Sequence, residues 1–436
     1  MNRIFACLKS EKDQGMKLTT KMLCSSAGLI FTLAQSHATT VLDPKGDYLL
    51  GDWNGTRSSL AEQGIKFDAN ITVDTAYLVD GGYNDQQDPT YTSQLWLGSH
   101  WDLEKLLGWD GVSVRTIVTA RQGQSVSVEQ LSDPLAPQMG NVQASYGRGN
   151  SGSRLSEFSI EKQFKDNGVS VRLGRFGMGT YFNVMSCDFQ NTSFCTAQMG
   201  KWQGSSWYNI PVSQWAGMLK YQIHPELYAQ FAIFEFNPTN IKENEGWNLS
   251  TSNADGVTAP VELVWQPKHA VNDLAGSYRV GMMYNTADNI ENQKDIVTGE
   301  AKDHTSGAWF VAEQQLTSRG SGKQGLHGFM NLSFHDESTN KIDNMQQVGL
   351  KYIGVLENRE NDILGFGLNR IHVSDRYREH SSRINKEAEY NIELNYSYYP
   401  TKWAMLRPNI QYVVNPGATS HVDNALVLGL TSRLTF

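Results

Sequence analysis

Hydrophobic and polar residues alternate along the final stretch of the chain, residues 425–436. Large apolar side chains occupy every second position of most of it, at Leu426, Leu428, Leu430, Leu434 and Phe436. The positions between them are small or polar, as at Gly429 and Arg433. Because side chains point alternately to the two faces of a β-strand, the pattern predicts a strand with one apolar and one hydrophilic face. Many such strands, ending on an aromatic residue, are typical of a transmembrane β-barrel with lipid outside and water inside.

The same two-residue period recurs along most of the chain and predicts about sixteen strands, an even number as in bacterial barrels. The clearest case is residues 387–399, where tyrosine, isoleucine and leucine alternate with glutamate, asparagine and serine. The strands that begin near residues 227 and 306 are ambiguous, because both of their faces carry large apolar side chains. The predicted strands are residues 65–77, 94–102, 111–121, 157–164, 169–173, 216–223, 227–236, 260–266, 277–285, 306–316, 325–335, 345–354, 363–372, 387–399, 405–414 and 425–436.

The connections between these strands alternate in length. Long polar segments at residues 79–91, 122–153, 176–214, 237–259, 286–305 and 373–386 are separated by short connections such as Asp166-Asn-Gly168 and His224-Pro-Glu226. The segment at residues 336–344 is a shorter outer connection and fits less well. Outer-membrane barrels join their strands by long extracellular loops and short periplasmic turns. The spacing therefore predicts an all-β transmembrane antiparallel barrel with long extracellular loops.

The amino terminus has the features of a secretory signal. A basic start at Lys17 and Lys21 precedes an apolar stretch at residues 23–33 and a small-residue cleavage site ending at Ala38. We therefore predict a signal peptide over residues 1–38, with Met16 as an alternative start. Residues 39–64 form an amino-terminal segment whose residues 52–64 predict a short helix, and residues 65–436 form the barrel.

Composition agrees with export to a membrane. Mean hydropathy is −0.44, and outside the amino terminus no run approaches the roughly 20 apolar residues of a membrane-spanning helix. Five of the 37 basic and two of the 45 acidic residues lie in residues 1–38, which leaves 32 basic and 43 acidic residues and a net charge of −11. An acidic balance argues against nucleic acid as a partner.

Two of the four cysteines, Cys187 and Cys195, lie outside the predicted signal peptide. Two cysteines this close in an exported chain predict a disulfide that pins a loop. Free thiols are the alternative, and a metal site is disfavoured because no histidine lies between the two cysteines. We expect no metal and no cofactor.

Charged residues on the inner face of the predicted barrel are the candidates for contact with a solute. Alternation places arginines and glutamates inward at Arg115, Arg121, Arg172, Arg279, Glu157, Glu161, Glu262, Glu389 and Glu393. Such groups can replace water around hydroxyl groups, and a lumen of mixed sign suits a neutral polyhydroxylated solute better than an ion. The alternative is that these charges pair with one another and only support the wall.

The long segments 122–153 and 176–214 are the candidates for narrowing the pore. The second contains Trp202 and Trp207, whose flat faces could pack against a sugar ring or, alternatively, within the loop itself. No G-x-S-x-G, H-E-x-x-H or P-loop motif points to catalysis. An outer-membrane barrel hydrolase would need a serine close to His327 or His335, which the sequence supports only weakly.

The chain resembles the carbohydrate-selective porins of the OprB family over nearly all of residues 47–436. The resemblance is carried by Gly51-Asp-Trp-Asn-Gly-Thr-Arg57, Arg154-Leu-Ser-Glu157, Arg172-Leu-Gly-Arg175, the segment from Cys187-Asp-Phe-Gln-Asn191 to Cys195, Tyr208-Asn-Ile-Pro-Val212, Asn237-Pro238, Pro408-Asn-Ile-Gln-Tyr-Val-Val-Asn-Pro-Gly417 and the closing strand. The last two blocks and the two-cysteine loop are specific.

The resemblance implies a sixteen-stranded barrel with inward-folded loops and passive uptake of glucose-like sugars across the outer membrane of a Gram-negative bacterium. It also implies a constriction lined by arginines and acids, for which Arg115, Arg121, Glu157 and Arg172 are the best positional candidates, with Glu161 beside them. The alternatives are a porin for sugar acids or small hydroxy-carboxylates, the barrel hydrolase, and an adhesin or structural barrel. Expected partners are small sugars, outer-membrane lipid and lipopolysaccharide, with the protein a monomer or homotrimer.

Overall fold

A computed structural model describes residues 41–84, 88–137, 139–144, 152–202, 206–320 and 322–436. The predicted signal peptide, residues 1–38, lies outside the described residues. Among the described residues no helix is both long and apolar enough to cross a membrane.

The described residues form sixteen antiparallel strands, numbered here in chain order, that close into a barrel in which β1 pairs with β16. The strands are β1 Ile65–Gly82, β2 Thr90–Asp102, β3 Val112–Gly123, β4 Ser153–Phe164, β5 Val169–Phe176, β6 Gln214–His224, β7 Leu227–Glu235, β8 Val257–Trp265, β9 Gly276–Asn285, β10 Thr305–Gln315, β11 Gly325–His335, β12 Ile342–Ile353, β13 Ile363–Val373, β14 Ala388–Thr401, β15 Ala404–Val414 and β16 Asp423–Thr435. The predicted fold class is confirmed.

Short helices occur in the connections and before the barrel. The α-helices are α1 Thr56–Gln63, α2 Leu103–Leu107, α3 Met199–Trp202 and α4 Asp375–Glu379. Ser127–Leu131 forms a π-helical turn, and 3-10 turns occupy Lys165–Asn167, Met178–Thr180, Thr192–Phe194, Pro238–Ile241, Glu243–Glu245, Val271–Asp273 and Pro416–Ala418. The predicted amino-terminal helix is α1, which packs at the short-turn end of the barrel beside β1.

The distribution of polar and apolar side chains is inverted relative to that of a water-soluble protein. On β13, the outward Phe366 and Leu368 are 48% and 40% exposed, whereas Asn369 on the inner face is fully buried. Across most of the wall the outer face is apolar and the inner face is polar, as expected for a barrel with lipid outside. The two strands with an ambiguous pattern, β7 and β10, carry apolar residues inward as well, at Ala232, Phe234, Trp309 and Val311. These residues face a loop inside the barrel and not water.

That loop is the connection between β5 and β6, residues 177–213, called here the lumenal loop. Its Phe182, Phe194 and Trp207 share one apolar cluster with Phe234 and Trp309 of the wall. The rings of Trp207 and Trp309 meet edge to face, with centroids 5.4 Å apart. Burial of these aromatic side chains favours the inward fold of the loop.

Candidate functional site

Wall carboxylates fix the backbone of the lumenal loop. Glu262 of β8 accepts a hydrogen bond from the Asn183 backbone N–H at 2.9 Å. Glu393 of β14 accepts the backbone N–H groups of Gln190 and Asn191 at 2.9 and 2.8 Å. The loop therefore follows the inner wall from β8 to β14, and Gln190 reaches the Thr75 carbonyl of β1 at 3.1 Å.

The tip of the lumenal loop is cross-linked. Cys187 and Cys195 form a disulfide, as predicted, with their Cα atoms 4.3 Å apart. Beside it, Asp188 pairs with Lys351 of β12 at 2.9 Å, and the Asn395 side chain donates to the Asp188 carbonyl at 3.0 Å. The ring closed by the disulfide, residues 187–195, thus contains the attachments of the loop to the wall at Asp188, Gln190 and Asn191.

The connection between β3 and β4 also folds over the lumen at its long-loop end. Glu389 of β14 accepts the backbone N–H of Gly140 at 2.8 Å and that of Gly417 at 2.9 Å. Asp133 pairs with Arg383 at 3.1 Å and His421 at 2.7 Å, each from a different outer connection. The Leu135 amide, more than His421 and Arg383, holds the pKa of the Asp133 carboxyl below its usual range.

A cavity of about 950 Å³ remains between these loops and the wall. Its wall side belongs to β1, β2, β3, β15 and β16, and its other sides belong to the lumenal loop and to residues of the β3–β4 connection. It is lined by Thr72, Asp74, Gln94, Trp96, Arg121, Val128, Met139, Asn141, Ala144, Gly179, Thr180, Val184, Met185, Cys187, Phe189, Thr192, Cys195, Thr196, Ala197, Gly200, Lys201, Tyr208, Asn209, Ile210, Val212, Arg407, Thr431 and Arg433. Both long segments predicted to narrow the pore contribute to this lining.

Strand register aligns the polar wall residues into two neighbouring rows. In the first row Arg433 lies opposite Thr72, Thr72 opposite Gln94, and Gln94 opposite Arg121. In the second row Arg407 lies opposite Thr431 and Thr431 opposite Asp74. The two rows, two residues apart on each strand, place three guanidinium groups around one carboxylate on a single wall.

Each arginine of the rows is oriented by a bond from its Nε atom to the wall. Arg433 Nε donates to Thr72 Oγ1 at 3.2 Å, Arg121 Nε to Gln94 Oε1 at 2.7 Å, and Arg407 Nε to Ser397 Oγ at 2.7 Å. On the second row, Thr431 Oγ1 donates to Asp74 Oδ1 at 2.7 Å. The terminal nitrogens of two of these arginines meet oxygens of the lumenal loop, since Arg121 Nη2 donates to the Ile210 carbonyl at 3.4 Å and Arg407 Nη2 lies 3.8 Å from Asp188 Oδ1. Guanidinium groups can also donate to hydroxyl or carboxylate oxygens of a solute.

Lys201 of α3 lines the cavity from the side of the lumenal loop. It donates a hydrogen bond to the Thr192 carbonyl, and burial lowers the pKa of its ammonium to about 7. Four basic side chains and one carboxylate are thus the charged groups among the lining residues.

Of the residues predicted to line the constriction, Arg121 lies in the cavity. Arg115 is on the same face of β3, six residues nearer the short-turn end, opposite His100 and Ser159. Glu157, Glu161 and Arg172 lie together elsewhere on the wall, with Arg172 paired to both glutamates. The Tyr181 hydroxyl of the lumenal loop donates to Glu157 at 2.7 Å, so this cluster holds the beginning of the loop.

Trp202 and Trp207 are packed and do not line the cavity. Trp207 is fully buried in the apolar cluster beneath the lumenal loop, where its indole N–H donates to Asn209 at 2.9 Å. Trp202 packs in a different buried cluster with Met139 and Ile342. Both tryptophans therefore pack against other protein side chains, which was the alternative to contact with a sugar ring.

Asp74, Gln94, Arg407 and Arg433 are among the polar lining residues that the sequence did not single out. Alternation does put Asp74, Gln94 and Arg433 on inner faces, but the same holds for many polar residues of the barrel. The missing signal was register, because only strand pairing brings these residues onto one patch of the wall.

The arrangement of serine, histidine and carboxylate that a serine hydrolase needs is incomplete. Ser333 Oγ lies 3.1 Å from Nε2 of His335, and both residues are buried inside the barrel. Nδ1 of His335 has no hydrogen-bond partner in the described part of the chain, so no carboxylate orients the ring as in a catalytic triad. No group of three potential metal ligands occurs among the described residues.

Comparison with known proteins agrees with this geometry. Residues 86–436 match the model of the carbohydrate-selective porin, OprB family. Porin B of Pseudomonas aeruginosa is 38% identical over 449 residues, covering 96% of this chain and 99% of that protein. A protein of Acinetobacter baylyi named putative porin QuiX is 39% identical over 413 residues, covering 89% of this chain and 93% of that protein.

A solved structure has the same fold. The high-pH structure of OprB from Pseudomonas putida superposes with a TM-score of 0.86 at 39% sequence identity, covering 91% of this chain and all of that one. The low-pH structure of the same protein gives a TM-score of 0.59. The chain therefore belongs to the OprB family of carbohydrate-selective porins, β-barrels of the Gram-negative outer membrane.

Proposed function

We propose that this porin lets monosaccharides diffuse passively into the periplasm through the cavity between the arginine rows and the lumenal loop, with weak and saturable binding there. The observation that carries the proposal is the lining itself. Hydroxyl, amide and guanidinium groups converge on a space of about 950 Å³. Such groups can exchange with the water around sugar hydroxyls at little net cost.

Weak binding suits a channel. A solute must be held well enough to enter the constriction and loosely enough to leave it. Each hydrogen bond to a charged donor contributes about 1.5–3 kcal/mol at most, and most of the gain is offset by desolvation of the arginines and the sugar. We expect half-saturation in the millimolar range, about −4 kcal/mol of binding free energy.

Liposome swelling with the purified protein tests this proposal. Glucose, mannitol and a disaccharide are supplied at equal osmolarity, and swelling rates are compared with those of liposomes that contain an unselective porin. The expected result is fast entry of glucose that saturates with concentration. Entry that depends on solute size alone would contradict a selective sugar site.

A second candidate substrate class is sugar acids and small hydroxy-carboxylates. The observation that favours it is the charge of the lining, where Arg121, Lys201, Arg407 and Arg433 exceed the single carboxylate of Asp74. A carboxylate can accept paired hydrogen bonds from a guanidinium. If sugar acids are the substrates, gluconate enters faster than glucose at low ionic strength. Salt at 0.5 M removes the difference in rate, because screening weakens the attraction between the carboxylate and the basic lining.

We also propose that the protein acts without cofactor or enzymatic turnover, as a monomer or a homotrimer surrounded by lipid and lipopolysaccharide. Its membership of a porin family supports a channel. Ester substrates offered to the purified protein test for hydrolysis, and native mass spectrometry from detergent gives the oligomeric state. Measurable turnover, or a dimer, would contradict this part of the proposal.

A further inference from the structure

Trp96 presents its side chain to the passage from the middle of β2. It lies on the same face of the strand as Gln94 and lines the cavity, while the neighbouring Leu97 points outward and is 41% exposed. Its cross-strand neighbours are Asn70 of β1 and Thr119 of β3, both polar. Trp96 is therefore a large aromatic group on an otherwise polar part of the inner wall.

The indole of Trp96 is fixed at one edge. Its Nε1–H donates to Oδ2 of Asp68 at 3.1 Å. The Asp68 carboxylate lies directly over Gly98, where a Cβ atom would come within 1.7 Å of Asp68 Oδ1. A glycine at position 98 thus leaves room for the carboxylate that holds the ring, and the ring keeps one orientation at low entropic cost.

The two other aromatic residues of the lining, Phe189 and Tyr208, are each only about 2% exposed. Their rings are used in packing beneath the loop, and Phe189 contacts Phe194 and Phe329 with centroids 5.0 and 5.4 Å away. Trp96 is half-buried by comparison. Among the described lining residues it is the aromatic side chain with a surface left for a solute.

The polar donors of the first row are immediately beside this surface. Gln94 lies two residues from Trp96 on the same face, about 7 Å along the strand, and is opposite Arg121. A pyranose ring has hydroxyl groups at its rim and C–H groups on its faces. Its rim could thus accept hydrogen bonds from the row while a C–H face rests on the indole, whose face carries partial negative charge.

We propose that Trp96 is the stacking platform of the constriction and favours cyclic sugars over open-chain polyols. This inference rests on the proposed function. An open-chain polyol offers the same hydroxyl groups to the arginine row but no flat C–H face, so the platform acts on one class of solute only. Asp68 is a positioning residue that acts through the indole N–H.

Paired measurements on reconstituted protein test the platform. Half-saturation is measured for glucose and for sorbitol, which has six carbons in an open chain, in the native protein, Trp96→Phe and Trp96→Leu. Trp101→Leu is the matched control, because Trp101 lies on the outer face of the same strand and donates to Ser99. Conductance in potassium chloride reports whether the pore stays open and of similar width.

We expect Trp96→Leu to weaken glucose half-saturation by about three- to tenfold, the usual range for an aromatic contact, and that of sorbitol by less than about twofold. Trp96→Phe, which keeps a flat face, retains most of the preference. Equal losses for both solutes, or no loss for either, would overturn the platform. If the native protein shows saturable uptake of neither solute, the proposed function fails, and with it the inference.

Discussion

Arg57 of α1 donates a hydrogen bond from its guanidinium to the backbone carbonyl of Phe436, the last residue of the chain, at 2.8 Å. A second bond reaches the Phe67 carbonyl of β1 at 2.9 Å, and the guanidinium lies 3.3 Å from the ring centroid of Tyr48. One side chain of the amino-terminal segment thus ties together the first and last strands, where the barrel closes.

Loss of the Arg57 contacts is expected to destabilise the barrel where β1 and β16 meet. Arg57→Ala removes two charge-assisted hydrogen bonds and a cation–π contact, for a loss of about 2–4 kcal/mol in unfolding free energy. Arg57→Lys keeps the charge but not the forked geometry and is intermediate. The measurement is the temperature at which the folded band disappears on semi-native gels. Equal melting of Arg57→Ala and the native protein would contradict the role.

The lumenal loop provides the second prediction, because Glu393 holds two consecutive amides of that loop. Glu393→Gln replaces one acceptor oxygen by an NH₂ group that faces a backbone N–H. We expect the anchor to weaken by about 2–3 kcal/mol, the cost of an unsatisfied buried donor. The loop then moves from the wall, so single-channel conductance becomes larger and noisier.

Glu387→Gln is the matched control for this prediction, since Glu387 is exposed in the connection before β14. It carries the same chemical change without touching the lumenal loop. If single-channel conductance in Glu393→Gln has the native amplitude and the native noise, Glu393 is not required to hold the loop.

Local periodicity predicts most of the barrel strands but little of the loop packing inside the barrel. β11 has the predicted limits, and elsewhere the predicted strands mainly fall short at their ends, because strand ends extend into polar outer connections where alternation fades. The inward position of Glu389, Asn391 and Glu393 followed from alternation alone. The partners of Glu393 are loop amides about 200 residues away in sequence, which no local pattern reports.

The candidate site shows the same limit. Trp96 and Trp207 are both tryptophans in polar surroundings in the sequence, yet one lines the passage and the other is fully buried. Arg121 and Arg172 both lie on inner faces, but only Arg172 has two glutamates as partners. The difference depends on the path of the lumenal loop, which is determined by long-range packing.

The first arginine row provides the third prediction. Arg433→Gln removes a guanidinium from the cavity wall while leaving an amide of similar length. Half-saturation for sugar is expected to weaken about five- to tenfold, or about 1–1.4 kcal/mol, because desolvation offsets part of a hydrogen bond to a charged group. Anion preference, measured as the reversal potential in a potassium chloride gradient, falls as well.

Lys402→Gln serves as the control for Arg433→Gln. Lys402 is exposed in the turn between β14 and β15, where it pairs with Asp47 at 2.6 Å. Lys402→Gln removes one positive charge from the protein, as Arg433→Gln does, but this charge lies outside the passage. If both variants shift sugar binding and reversal potential equally, the effect comes from net charge and not from the row.

Lys201 is expected to make the ion selectivity of the passage depend on pH. Burial lowers the pKa of its ammonium to about 7, so the group is mostly charged at pH 6 and mostly neutral at pH 8. Guanidinium groups stay charged across this range, and the described lining residues include no histidine. Anion preference should therefore rise as the pH falls from 8 to 6.

The reversal potential is measured at both pH values in the native protein and in Lys201→Met. In Lys201→Met the pH dependence should disappear, while the part of the anion preference that depends on the arginines remains. A dependence that persists in Lys201→Met would assign the titration to another group.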